Sequence, residues 1–142
     1  MIWDRVAPLY DLAVNALNRR VYDGTGDAVA RLIRPGDTVL ECACGTGAIS
    51  AAIAPACARV VATDYSEGML KQARKKLAKH SNVTVEQADI TDLRYANDSF
   101  DAVVAGNVIH LLPEPGDALK ELKRVVRPGG TIIVPTYVIP KK

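Results

Sequence analysis

The chain has 142 residues, 49% apolar and 24% charged, with 18 Lys+Arg against 16 Asp+Glu for a net charge of +2. That apolar content excludes a disordered chain, and the length suits one domain, 1–142, able to bury about two-thirds of its unfolded surface without disulfide or metal staples. The small charge does not by itself imply a nucleic-acid partner, no run approaches the ~20 apolar residues that span a bilayer, and the N-terminus lacks the basic-then-apolar pattern of a secretory signal. A cytoplasmic enzyme or binding domain is therefore expected.

Residues 2–22 place Ile2, Val6, Leu9, Ala13, Leu17 and Val21 on one helical face, which Pro8 can break or kink. Gly24 and Gly26 punctuate the chain, and 27–33 (DAVARLI) reads as a short helix with Asp27 near its positive end. Segment 1–34 is expected to form a helical lid. In it Trp3, Tyr10 and Tyr22 either close an apolar pocket or pack across one end of the core.

The turn Arg34–Asp37 leads to an apolar strand, Thr38–Cys42, then Gly45-Thr46-Gly47 and an Ala-rich helix ending near Pro55. A second apolar strand, Arg59–Asp64, is followed by Ser66 as the cap of a helix reaching about Lys79. Met69/Leu70, Ala73 and Leu77 form that helix's apolar line. Lys71, Arg74, Lys75 and Lys79 lie mostly off it and read as a solvated face, as does His80 at its end. Strands follow at Asn82–Glu86 and Phe100–Ala105, then an amphipathic helix at Asp117–Val126, a turn at Arg127–Gly130 and a fifth strand at Thr131–Val134. Apolar strands alternating with helices predict an α/β fold: a three-layer, doubly wound, mostly parallel sheet of the Rossmann-like kind. The core spans 36–134 and the tail 135–142.

Cys42, Cys44 and Cys57 are odd in number, which argues against a disulfide framework. On a strand, Cys42 and Cys44 would point the same way. With no second Cys/His pair following, no metal site is expected, and the three read as small buried apolar residues.

Ligands of such sheets bind at the carboxyl ends of the strands, and Glu41–Gly47, Asp64, Asp89 and Asn107 collect there from four strands. Gly45 and Gly47 let backbone approach a ligand at a helix start, and Asp64 lies 19 positions after Gly45, the spacing at which an acid reaches ribose hydroxyls. A dinucleotide and S-adenosylmethionine both fit this pattern. GTGAIS lacks the third glycine of the dinucleotide fingerprint, and Glu41 suits an ammonium, direct or through water, better than a pyrophosphate. An NAD-type oxidoreductase is the weaker alternative.

VLECACGTGAIS resembles the glycine-rich first motif of class I S-adenosylmethionine-dependent methyltransferases, an acid followed by G-x-G-x-G. VVATDYSEGML resembles their second motif, ADITDL their third, and FDAVVAGNVIHLL with LKELKRVVRPGGTIIV their later ones. The match runs from Gly36 to Val134 without a gap. Within the family the small-molecule branch of ubiquinone/menaquinone-biosynthesis C-methyltransferases is the nearest, and Tyr10-Asp11 resembles that branch's N-terminal tyrosine-aspartate pair.

The resemblance implies S-adenosylmethionine as cofactor, S-adenosylhomocysteine as product and a small-molecule acceptor. It implies that Glu41 and the Ala43–Gly47 loop hold the methionine part and Asp64 the ribose. Tyr65 and Met69 would flank the adenine, Asp89 would bond its amino group beside the Ile90 backbone, and Asn107 would approach the methionine end or the acceptor. Ala43 departs from the family pattern, which has glycine there, and alanine's small size suggests tolerance. His110 is the candidate general base, with a helix-start histidine as the plain alternative. Asp64→Ala is expected to abolish cofactor binding and spare the fold.

The family's sheet has seven strands, the last two an antiparallel hairpin. This chain ends near the fifth, so the hairpin is expected to be missing. Self-association through the fifth-strand edge, or exchange of the C-terminal segment, is expected in its place. A cofactor-binding domain that self-associates without catalysis is the second reading.

Overall fold

Val39, Leu40, Val60, Val103 and Val104 have no exposed surface, the signature of strands covered on both faces. The computed structural model describes residues 24–106, 112 and 115–135. The helix expected at 2–22, with Trp3, Tyr10 and Tyr22, lies outside these residues, as do Asn107, His110 and the tail beyond Pro135.

Helical residues 24–30 (α1) precede β1 (Thr38–Cys42). Then come α2 (Ala48–Ile53) with a 3-10 turn at Ala54–Ala56, β2 (Arg59–Asp64), α3 (Glu67–Leu77), β3 (Val83–Gln87), β4 (Phe100–Ala105), α4 (Pro115–Val125) and β5 (Val126–Ile133). The sheet order is β3-β2-β1-β4-β5 and every pairing is parallel. Among the described residues the expected doubly wound sheet is thus present, with five strands. Its order reverses between β1 and β4, and the strand ends flanking that point are where ligands of such folds sit.

Two cores flank the sheet. One joins Val29 and Ile33 to Ile49, Ile53, Leu70, Ala73 and Leu77 against β1, β2 and β4. The C-terminal part of the segment expected as a lid therefore belongs to this core. The other joins Leu122 and Val125 of α4 to Leu40, Val61, Phe100 and Val103. Ser66 caps α3 as expected, its Oγ accepting from the Met69 amide at 3.2 Å. Lys71, Arg74, Lys75 and Lys79 are exposed. Among the described residues, no helix is long and apolar enough to cross a membrane.

Three local expectations are corrected. The Arg127–Gly130 turn is a bulge inside β5: Phe100 pairs with Val126, but Ala102 pairs with Thr131. Gly129 takes φ +79°, and a Cβ on Gly130 would stand 2.6 Å from the Asp101 carbonyl oxygen, so only glycine lets the chain rejoin β4 here. Cys42 and Cys44 lie in different cores, because the strand ends at Cys42 and Ala43 turns the chain with φ +56°. His80 is half-buried rather than solvated, and its Nε2 is buried without a hydrogen-bond partner.

No helix joins β3 to β4. The connecting loop is held instead by α4. Arg124 donates to the carbonyls of Leu93 at 2.6 Å and Tyr95 at 2.7 Å and to Asn97 Oδ1 at 2.9 Å. Glu121 accepts from the Leu93 amide at 2.7 Å and from Arg124 Nε at 2.9 Å. These bonds replace the backbone pairing a helix would supply. Arg124→Ala is expected to speed amide exchange across residues 93–98 and lower the melting temperature, while exchange in β1 and β2 keeps its order of protection.

Candidate functional site

β1 delivers Glu41 and Cys42 to the sheet's carboxyl end, and the chain then changes hand repeatedly, with φ of +56° at Ala43, +57° at Gly45 and +97° at Gly47. Consecutive amides of this loop are tied to β2. The Cys44 N–H donates to the Thr63 carbonyl at 2.8 Å, and the Gly45 N–H donates to Asp64 Oδ2 at 2.8 Å. The other Asp64 oxygen accepts the Ser66 N–H at 2.9 Å. Each carboxylate oxygen keeps a further lone pair for a ligand hydroxyl. The 19-residue spacing thus marks a direct bond between the two motifs.

The two glycines do different work. A Cβ on Gly45 would meet nothing within 4 Å, so its backbone borders open space. A Cβ on Gly47 would come within 3.0 Å of Leu77 Cδ1, so Gly47 serves helix packing. Ala43 bears the cost of its conformation, since a left-handed alanine is worse by roughly 1–2 kcal/mol. Glycine's extra entropy in the unfolded chain offsets about 0.5–1 kcal/mol of that. Ala43→Gly is expected to stabilise the protein by about 0.5–1 kcal/mol in urea unfolding.

Glu41 is 1% exposed, and the Ser50 hydroxyl of α2 donates to its Oε1. Burial pushes the Glu41 carboxyl up to about 8; the Ser50 hydrogen bond opposes this and the Asp64 charge adds to it. The Thr63 hydroxyl donates to the Glu41 carbonyl at 2.9 Å, fixing β1 to β2 at this level. Burial also pushes the Cys42 thiol up to about 12 and the Cys44 thiol well above its usual range, so both are neutral.

Tyr65, beside Asp64, is 57% exposed, whereas Met69 is buried in the first turn of α3. Asp89 stands exposed just beyond β3, its Oδ1 accepting from the Thr91 amide at 2.9 Å and hydroxyl at 2.6 Å. Ile90 packs against the second core. Glu41, Ala43, Gly45, Gly47, Asp64, Tyr65, Asp89 and Ile90 therefore gather at the ends of three adjacent strands. A hollow of about 220 Å³ lined by Thr38, Arg59, Glu86, Tyr95, Ser99 and Phe100 lies elsewhere, reaching the amino ends of β1, β2 and β4.

Sequence reasoning missed Ser50, Thr63 and Gln87, whose Nε2 donates to the Tyr65 carbonyl at 3.0 Å. Ser50 had left a signal: it occupies the place of the third glycine in G-x-G-x-x-S, where helix and strand pack closest.

Residues 40–134 match the family model described as a methyltransferase domain. The chain is 39% identical over 141 residues to a demethylmenaquinone methyltransferase of Clavibacter sepedonicus, covering 98% of this chain and 58% of that protein. It is 36% identical over 138 residues to a ubiquinone/menaquinone biosynthesis C-methyltransferase of Bdellovibrio bacteriovorus, covering 94% and 59%. The chain thus spans under three-fifths of the length of these relatives. Among solved structures it resembles a SAM-dependent methyltransferase from Aquifex aeolicus, with a TM-score of 0.63 and 28% identity over 72% of this chain and 58% of that one. With motifs, fold and family model in agreement, the chain belongs to the methyltransferase-domain family, related to the demethylmenaquinone methyltransferases.

Proposed function

We propose that this chain binds S-adenosylmethionine at the ends of β1, β2 and β3 and directs its methyl group to a small-molecule acceptor. The observation that carries the reading is the bond between the Gly45 amide and Asp64, which fixes a glycine loop beside an acid with free lone pairs. The residues fit the cofactor: a buried carboxylic acid for an ammonium, open space over Gly45 for the methionine part, and Asp64 for ribose hydroxyls.

Bound there, the cofactor supplies a methyl group on a sulfonium, open to in-line displacement. The chain's own part is alignment and exclusion of water. In this reading Glu41 and the Ala43–Gly47 loop hold the methionine part, and Asp64 the ribose. Tyr65 and Met69 flank the adenine. Asp89 takes the adenine amino group beside the Ile90 backbone. Tyr10 joins the cofactor-binding residues, Asn107 approaches the methionine end or the acceptor, and His110 acts as general base. The curated relatives' names make a demethylated quinone the first acceptor to try.

We place the chain in the cytoplasm with no nucleic-acid partner, in keeping with its free cysteines and small net charge. Ile132 on β5, the edge strand among the described residues, and Val134 just beyond it are each more than a third exposed and support self-association there. A monomer at high micromolar concentration by light scattering would refute that part.

Calorimetric titration with S-adenosylmethionine and with NAD tests the cofactor, with binding of the first alone expected. Methyl transfer from radiolabelled cofactor to a panel of hydroxylated aromatics and demethylated quinones tests catalysis. Binding without transfer to any acceptor would favour the non-catalytic binding domain.

A further inference from the structure

Glu41 differs from the other acids of the site. Asp64 is satisfied by two amides and Asp89 is exposed, but Glu41 is buried with the Ser50 hydroxyl on its carboxyl. Among the described residues, none of the groups acting on it is a cation. Its sheet neighbours are Ala62 on β2 and Val104 on β4, and the Cys42 and Cys44 thiols beside it are neutral. Asp64 on β2 carries the same sign of charge, and from α3 Lys76 turns its Nζ to the Thr46 hydroxyl at 3.5 Å. Among the described residues, a carboxylate so enclosed lacks the partner that makes buried charge tolerable.

We infer that Glu41 and Ser50 form a ligand-driven proton gate: the free protein holds Glu41 as the neutral acid against Ser50, and an arriving amino-acid ammonium expels its proton to solvent. This rests on the cofactor reading above. The carboxyl O–H bond breaks, the proton passes to buffer, and a carboxylate–ammonium pair remains; no electrons are transferred. Burial, which pushes Glu41 up to about 8, supports the neutral starting form. Ser50 is the positioning residue, because a hydroxyl both donates and accepts and so holds Glu41 in either state. Asn or Gly there would not offer both roles from one atom. Affinity then tightens about tenfold per pH unit up to the Glu41 pKa.

The test is calorimetry with S-adenosylhomocysteine at pH 6.5, in buffers of differing ionisation enthalpy. An α-amino group titrates at about 7.7–8.0, so the ligand's own ammonium is already formed at this pH. The expected result is nearly one proton released per ligand bound by the native protein and none by Glu41→Gln. A native count near zero, or equal release from the variant, overturns the gate and leaves the cofactor reading standing. No binding at any pH overturns the cofactor reading itself. The native count is decisive even if the variant fails to fold.

Discussion

Glu41→Gln is expected to raise the stability of the protein at pH 8 by about 4 kcal/mol and, in the proposed site, to weaken the hold on cofactor. The carboxyl is fully buried, and its pKa rises from 4.5 in the ordinary state to about 8 in the fold. Between those values the unfolded chain has lost the proton and the folded chain keeps it. The folded state then binds more protons, so stability falls as pH rises through this window. Glutamine has the shape of the neutral acid and bears no such penalty. Urea unfolding of both proteins from pH 4 to pH 8 checks this. The difference should be close to nothing at pH 4 and grow steadily to pH 8; a difference independent of pH would show that Glu41 is ionised in the fold. A gain in stability coupled to a loss of binding is the usual mark of a residue kept for function.

Asp64→Ala is the second large effect, and here the structure amends the expectation that the fold is spared. If Asp64 holds the ribose as proposed, the change removes those acceptors and is expected to cost about 3 kcal/mol of cofactor affinity, on the order of 100-fold. It also strips the Gly45 and Ser66 amides of their acceptor, costing about 1–3 kcal/mol of stability. Asp64→Asn separates the two losses: one oxygen remains to serve one amide, so stability recovers in part while affinity stays low. Equal affinity of the native and Asn proteins, by calorimetry, would remove Asp64 from the ribose.

The sequence and structure agree most closely where one local force dominates. β1, β2 and β4 have the bounds their apolar runs imply, since burial on both faces leaves no other choice. Ser66 was legible as a cap because its bond to Met69 is three residues long. What escaped depends on tertiary geometry. Arg127–Gly130 has the residues of a turn, and only pairing with β4 makes it a bulge. The separation of Cys42 from Cys44 follows from a left-handed alanine, which no local preference favours. Ser50 stood in view as a missing glycine, but its role required knowing how close α2 lies to β1. Tyr10, Asn107 and His110, legible from motif and strand-end position, lie outside the described residues.

The bond from the Gly45 amide to Asp64 carries a consequence for descent. Past that amide the chain leaves Gly45 at φ +57°, a conformation that side chains resist, so the residue that donates to the acid is also one that only glycine takes at little cost. Loss of either residue removes the reason for the other. Among descendants of this chain the glycine and the acid should be inherited as a pair, lost together where cofactor binding is abandoned and seldom apart.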